Sequence, residues 1–288
     1  MLFRQNSHQL LVHTPAKLNL YLEVIGRRED GYHELETCMV YVDLYDTLRF
    51  RPLAPGEPLS LCVRPLLGQA IPDGPENLVL KAAKLLRERS GTDKSASIEL
   101  VKRIPSEAGM GGGSSDAAAT LLGLNRLWNL GCSRRELHQM AAELGSDLNF
   151  FIAQTSAAIC RGRGELVEPV SGHRLSFVVA MPPKAGLSTG AVFRECDFGA
   201  LHDIGDFVDG FVSGNPSLHN RLAESASRLC PPITALSEEF CRLQIPNELT
   251  GSGAAWFGIT KNRRIASRYV RVLKSRGFER AWAVSMTL

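Results

Sequence analysis

The chain has 288 residues, about twice a typical domain, and its 44% hydrophobic and 22% charged residues are the make-up of a globular protein able to bury its own core. Lys and Arg number 33 against 30 Asp and Glu, a formal charge of +3 with the signs interleaved, which argues against a dedicated nucleic-acid or membrane-surface binder. The longest apolar runs, such as Phe177 to Met181, are too short to span a bilayer, the start MLFRQNSHQLLVH lacks the apolar stretch of a secretory signal, and the seven cysteines are scattered with no C-x-x-C pair. The expectation is a cytoplasmic protein with buried, reduced thiols.

From Pro15 to Ile25 the pattern alternates, with Leu18, Leu20, Leu22 and Val24 on one face and Lys17, Asn19, Tyr21 and Glu23 on the other, which predicts a half-buried strand. Asp30-Gly31 marks a tight turn, and Leu35 to Phe50 reads as one or two strands. Asn77 to Arg89 has helical spacing and Gly91 ends it, while Ile98 to Ile104 alternates again and stops at Pro105. A glycine cluster, Gly109 to Gly113, follows and leads into an Ala/Leu-rich helix running to about Trp128, with Ser114 and Ser115 as candidate caps. Ser133 and Glu136 form a capping box for the next helix, which Gly145 closes, and Asp147 stands at the start of a short helix LNFFIA. The segment 161–174 is rich in glycine and charge, and a domain boundary is expected near 172. Beyond it the pattern reads as a strand at 175–181, a helix at about 189–196, two helices over about 216–243, a turn at Thr250-Gly251-Ser252-Gly253 leading into a strand, a helix at 263–276 and a last strand at 281–287. Both halves mix strands and helices, so the class is α+β or α/β.

The glycine cluster carries the sharpest chemical signal. Four glycines in five positions between a strand and a helix let backbone N–H groups approach an anion, and the helix that follows points its positive end at the same place. The loop is not a Walker A sequence, because Ser114 stands where the lysine is required, and it lacks the third glycine of the dinucleotide fingerprint. Phosphate binding is therefore expected at 109–115. Lys17 shares the polar strand face with Asn19; a lone strand lysine is as readily a solvated side chain. Asp147 reads either as a helix cap or as a carboxylate kept ionised by the helix terminus, as a base near a transferring phosphoryl group must be. Tyr32 and His33 at the hairpin end read either as turn packing or as a bracket for a base or sugar.

Taken jointly, P-A-K-L-N-L at 15–20, G-R-R-x-D-G-Y-H-E-L at 26–35 and I-P-x-x-A-G-M-G-G-G-S-S-D-A-A-A at 104–119 resemble the GHMP kinases, with support from E-N-L at 76–78, L-N-R-L-W at 124–128, G-R-G-E at 162–165 and T-G-S-G at 250–253. The resemblance covers most of 14–170 and only patches beyond. It implies an α+β, two-domain GHMP-kinase-like fold, 1–172 and 173–288, with the active site in the inter-domain cleft, and with ATP and Mg²⁺ as cofactors. Lys17 and Asp147 match the family's catalytic pair. Pro105, Ser106, Glu107, Ala108, Gly109, Met110, Gly111, Gly112, Gly113, Ser114 and Ser115 match its ATP phosphate loop, with Asn77, Leu78 and Lys102 near the adenine. Asn19, Tyr32, His33, Thr189 and Phe193 match its substrate side, where two aromatic rings enclose a cytosine. The Y-H-E-L block points to the branch that phosphorylates the 2-hydroxyl of a diphosphocytidyl methylerythritol in non-mevalonate isoprenoid synthesis, whereas the glycine loop alone fits homoserine and mevalonate kinases, or a non-catalytic nucleotide-binding relative, as well. The implied partner is a cytidyl small molecule, with no nucleic acid and no membrane, and the metal ligands stay unassigned, Ser115 being one candidate. Three positions depart from the family pattern: Leu148-Asn149 after Asp147, Gly190 after Thr189, and Asn220-Arg221-Leu222 where an Asn-Asp-Leu is usual.

Overall fold

The computed structural model describes residues 1–67, 70–183 and 187–287. In chain order the elements are β1 (Leu2–Gln5), β2 (Leu10–Arg27), β3 (His33–Leu53), β4 (Ser60–Pro65), α1 (Leu78–Ser90), β5 (Ser95–Lys102), α2 (Gly112–Leu127), α3 (Arg134–Leu144), α4 (Leu148–Ala153), β6 (Ala157–Gly162), β7 (Leu166–Pro169), β8 (Ser176–Ala180), α5 (Thr189–Arg194), α6 (Ile204–Ser213), β9 (His219–Asn220), α7 (Ala223–Leu229), α8 (Pro231–Arg242), β10 (Asn247–Leu249), β11 (Trp256–Thr260), α9 (Arg263–Ser275) and β12 (Ala281–Ser285). The class is α+β, one of the two that the pattern allows and the one that the family resemblance implies. No helix among the described residues is long and apolar enough to cross a membrane.

The chain forms two compact units that interleave in sequence: Met1–Ala16, Leu44–Ser106 and Gly111–Thr155 make one, and Lys17–Asp43, Glu107–Met110 and Ser156–Leu288 make the other. In the first, β1 runs antiparallel to the start of β2, the end of β3 runs antiparallel to β5, and β4 lies parallel to β5. Helices α1, α2, α3 and α4 pack on one another, with Phe50, Leu100, Leu121, Phe150 and Phe151 among the fully buried side chains. Local chemistry sets the helix ends. Asn77 caps α1 by accepting the Val79 N–H and Gly91 closes it in the left-handed region, while the Ser133–Glu136 box opens α3.

In the second unit the beginning of β3 pairs antiparallel with β6, β6 with β7, and β9 lies parallel to β2. A separate antiparallel sheet has the order β10-β11-β8-β12. Its strands pack against α8 and α9, with Val178, Ala180, Ile233, Leu236, Phe240 and Leu273 in the core.

Four expectations need correction. Both faces of β2 are buried, since Lys17 is 3%, Asn19 2% and Glu23 0% exposed; each finds polar partners, which is what makes burial tolerable. Gly111, at φ 69°, holds the N-cap position of α2, so Ser114 and Ser115 lie inside the helix rather than capping it. Helix α6 and strands β1, β4, β6, β7, β9 and β10 have no counterpart in the expected order. Of the cysteines, Cys62 and Cys241 are exposed and only Cys38, Cys160, Cys196 and Cys230 are buried.

Candidate active site

In the first unit the glycine loop enters α2. Ser115 N–H is the donor that closes the first turn, on the Gly111 carbonyl at 2.8 Å; the N–H groups of residues 112–114 precede it, and no side chain caps them. These are the unpaired donors that a helix start offers an anion. The Ser115 hydroxyl faces inward: it donates to the Pro15 carbonyl at 2.6 Å and lies 2.5 Å from Thr14 Oγ1, all of them buried. It thereby ties α2 to β2.

Beneath this turn lies Lys102, 5% exposed. Its ammonium pairs with Asp46 and, at 2.7 Å, with Asp116 Oδ2. Asp46 Oδ1 also accepts the backbone N–H of Arg103 and Ile104, at 2.5 and 2.8 Å. Burial opposes charge on Lys102, but Asp116 and Asp46 outweigh it and raise its pKa. Burial drives Asp116 well above the usual carboxylate range, with Lys102 opposing. Asn77 and Leu78 stand at the start of α1, where a Cβ on Gly113 would lie 3.5 Å from Leu78 Cδ1. Asp147 occupies the N-cap position of α4, yet its carboxylate makes no capping hydrogen bond there. Asn149, the departure from the family pattern, is 4% exposed and lies 3.0 Å from His138 Nδ1.

The second unit gathers the remaining candidates around two points. At one, Lys17 Nζ donates to Asn19 Oδ1, Asn19 Nδ2 donates to Thr37 Oγ1 at 2.8 Å, and Asn19 N–H donates to Thr250 Oγ1 at 3.0 Å. The T-G-S-G turn lies directly on the 107–110 segment: Ala254 and Ala255 donate to the Glu107 and Ala108 carbonyls, and Lys17 N–H donates to the Met110 carbonyl at 3.0 Å. A Cβ on Gly251 would fall 3.2 Å from Lys17 Nζ. Asn220 secures the turn by donating to the Leu249 and Gly251 carbonyls, both at 2.8 Å, and Thr189 Oγ1 is 3.0 Å from Ser252 Oγ. Thr250, Gly251, Ser252 and Asn220 are thus neighbours of the predicted residues that the sequence does not single out as site residues; its signal there is a second glycine-rich turn before a strand, one of the blocks that support the family resemblance.

At the other point the His33 and Phe193 rings stack, with centroids 4.9 Å apart. Burial first, and Arg27 second, lower the His33 pKa, so the imidazole is neutral at pH 7 and offers one donor and one acceptor. Tyr32 is 51% exposed, and the Arg163 guanidinium, from the G-R-G-E segment, lies over its ring at 4.7 Å. Phe193 therefore stacks on His33, and the Tyr32 ring meets Arg163.

Comparison with known proteins follows this geometry. Residues 77–155 match the model of the GHMP kinases N terminal domain. The 4-diphosphocytidyl-2-C-methyl-D-erythritol kinase of Delftia acidovorans is 39% identical over 250 residues, 85% of each chain, and that of Bacillus cereus is 36% identical over 287 residues, 96% of this chain and 97% of the relative. A crystal structure of 4-(cytidine 5'-diphospho)-2C-methyl-D-erythritol kinase superposes with a TM-score of 0.82 at 34% identity, covering 96% of this chain and 99% of the other.

Proposed function

Because the chain belongs to the GHMP kinase family, and within it to the 4-diphosphocytidyl-2-C-methyl-D-erythritol kinases, we propose that it transfers the γ-phosphoryl group of ATP to the 2-hydroxyl of 4-diphosphocytidyl-2-C-methyl-D-erythritol, in non-mevalonate isoprenoid precursor synthesis. The observation that carries this reading is the length of the likeness: 39% identity extends over 85% of the chain, well past the phosphate loop that all branches share.

In the proposed reaction the substrate oxygen bonds to the γ-phosphorus as the bond to the ADP oxygen breaks, and charge spreads over the phosphoryl oxygens. Positioning and electrostatics then supply most of the catalysis. The N–H groups of residues 112–114 and the start of α2 hold the phosphates, with the 105–111 segment leading into them. Asp147 accepts the hydroxyl proton, late in the transfer because a carboxylate is a weak base. Lys17, held by Asn19, offsets charge at the hydroxyl and the γ-phosphate. Tyr32, Phe193 and neutral His33 form the nucleobase side, the imidazole pairing one donor and one acceptor with the cytosine edge.

Mg²⁺ is expected to arrive on the ATP phosphates. Among the described residues no group of three His, Cys, Asp or Glu could hold a metal ion, and the Ser115 hydroxyl donates to the Pro15 carbonyl.

The test is ADP release from Mg·ATP by the purified protein with three alcohols in parallel. Release with the cytidyl substrate, and none with mevalonate or homoserine, is expected. Release with either of the others would overturn the substrate assignment while leaving phosphoryl transfer intact.

A further inference from the structure

Arg221, which stands where an acidic residue is usual, is joined to Glu23 by a two-pronged ion pair: Nε to Oε1 at 2.7 Å and Nη2 to Oε2 at 2.8 Å. Glu23 is fully buried and also accepts from His219 Nε2 at 3.0 Å. The pair reaches further than its own two residues. Glu23 Oε2 accepts the His202 N–H at 3.1 Å, Arg221 Nη2 donates to the Ala200 carbonyl at 2.5 Å, and Tyr21, next to the pair on β2, donates its hydroxyl to the His202 carbonyl at 2.7 Å. At the other end of the same segment Arg228 donates to the Glu195 carbonyl and the Asp197 carboxylate, at 2.8 and 2.9 Å. The segment from 195 to 202 is thus fastened at both ends, and its far anchor is a buried, bidentate charge pair, the kind of interaction that fixes geometry more than it adds stability.

What lies between the fastenings is Phe198. Its ring is 54% exposed, and it lies nearly parallel to His33, at 16° with centroids 6.1 Å apart. Beside the His33–Phe193 stack, this is a further flat apolar face at the place where the base is proposed to bind.

We propose that Phe198 is a further ring of the nucleobase site, beside Tyr32, His33 and Phe193, determining affinity for the cytidyl group, and that the Glu23–Arg221 pair is the positioning element that holds it there. The inference rests on the assignment of a cytidyl substrate. A solvent-exposed ring already parallel to His33 needs only the base to arrive to bury its open surface. The two-ended fastening of its segment means that little ordering is lost on binding. Arg221 acts on the site only through the backbone of residues 200–202, which is why a change from an acidic to a basic residue at that position is compatible with the site: Glu23 and Arg221 form a self-contained unit.

The experiment is calorimetric titration of CDP, in saturating ADP to occupy the phosphate loop, into the wild-type protein and variants, with ADP binding and turnover measured alongside. Phe198→Ala should weaken CDP on the order of ten-fold, the size of one base–aromatic stack, with ADP affinity unchanged, and Phe198→Tyr should restore it. Arg221→Lys, which keeps the charge but loses the two-pronged geometry, should weaken CDP in the Phe198 background and add nothing in the Phe198→Ala background. Unchanged CDP affinity in Phe198→Ala, an equal loss of ADP affinity, or no CDP binding by the wild-type protein would each overturn the proposal. Wild-type protein that binds CDP through Phe198 but fails to phosphorylate the cytidyl substrate would sustain it and overturn the proposed reaction instead.

Discussion

Lys102 Nζ donates to Asp116 Oδ2 at 2.7 Å directly under Gly112, where an added Cβ would come within 2.8 Å of that same nitrogen. The first turn of α2, with the N–H groups proposed to hold phosphate, therefore sits on a buried charge triad completed by Asp46. Lys102→Met would leave two buried carboxylates without a counter-charge, and about 3–5 kcal/mol of stability should be lost at pH 7. The deficit should shrink as the pH falls. Asp116, pushed well above the usual carboxylate range by its burial, takes up a proton in the folded protein before it does so unfolded, so acid favours the folded variant. Urea denaturation of wild type and variant between pH 5 and 8 measures this, and parallel curves would show that the carboxylates gain solvent instead.

Asp147→Asn keeps the size of the side chain and removes its basicity. Turnover should fall by roughly 10²–10⁴-fold, the range of a positioned general base, with ADP affinity unaltered. Single-turnover kinetics and ADP titration separate the two, and an undiminished rate would remove Asp147 from the proton-accepting role.

Two glycines with similar backbones should respond differently. Gly109, at φ +71°, has the Thr250 backbone carbonyl where a Cβ would go, whereas Gly31, at φ +84°, has open space. Gly31→Ala should therefore lose only the left-handed strain of about 1 kcal/mol. Gly109→Ala adds a backbone collision and should lose several times more while raising KM for ATP. Thermal unfolding of the two variants side by side decides; equal losses would mean that the Thr250 turn yields easily.

Removing the Tyr32 ring should raise KM for the cytidyl substrate by about 1–3 kcal/mol equivalent, the worth of one base–aromatic stack, and leave KM for ATP alone. Tyr32→Phe should behave as wild type, since the ring face, already met by Arg163, is the feature at work. Initial rates at varied concentrations of each substrate are the measurement.

Glu23 is the group whose titration should be most visible in acid. Burial raises its pKa, but the Arg221 hydrogen bonds, with the His202 and Val24 N–H groups and the His219 ring, outweigh it and bring it to about 2 from an ordinary 4.5. A depressed carboxylate contributes stability that is complete above the unfolded pKa and disappears as pH falls through the folded one. Its contribution, on the order of 3 kcal/mol, should thus be lost between about pH 4.5 and 2. Glu23→Gln should be less stable than wild type at pH 6 and approach it at pH 2.5, by denaturant titration at each pH.

Much of the local structure is legible in the residues because its causes are local. The Asn77 cap and Gly91 stop, the Ser133–Glu136 box, the alternation over β5 and the short apolar run of β8 each depend on side chains within a few positions. Helix α6 is harder to see: Gly205 and Gly210 weaken its propensity, and the surviving signals are the Asp203 cap and the four-residue spacing of buried Phe207 and Phe211. Strands β6 and β7 lie in a segment of glycine and charge, and they form because β3 supplies a hydrogen-bonding edge from more than a hundred residues away.

The sequence by itself determined the mixing of strands and helices, the glycine-rich strand-to-helix loop at 109–115 and the identity of the family, since these follow from spacing, glycine content and short blocks of contiguous residues. Only the tertiary structure decided what those residues rest on. Burial of both faces of β2 turns Lys17, Asn19 and Glu23 from surface groups into partnered interior ones; Lys102 becomes the centre of a charge triad under α2; the T-G-S-G turn comes to lie on Gly109; and the Phe198 ring comes to lie nearly parallel to His33. Each of these depends on desolvation and on contacts between segments distant in the chain. The interleaving of the two units has the same origin, because β2 and β3 are long enough to contribute strand to both.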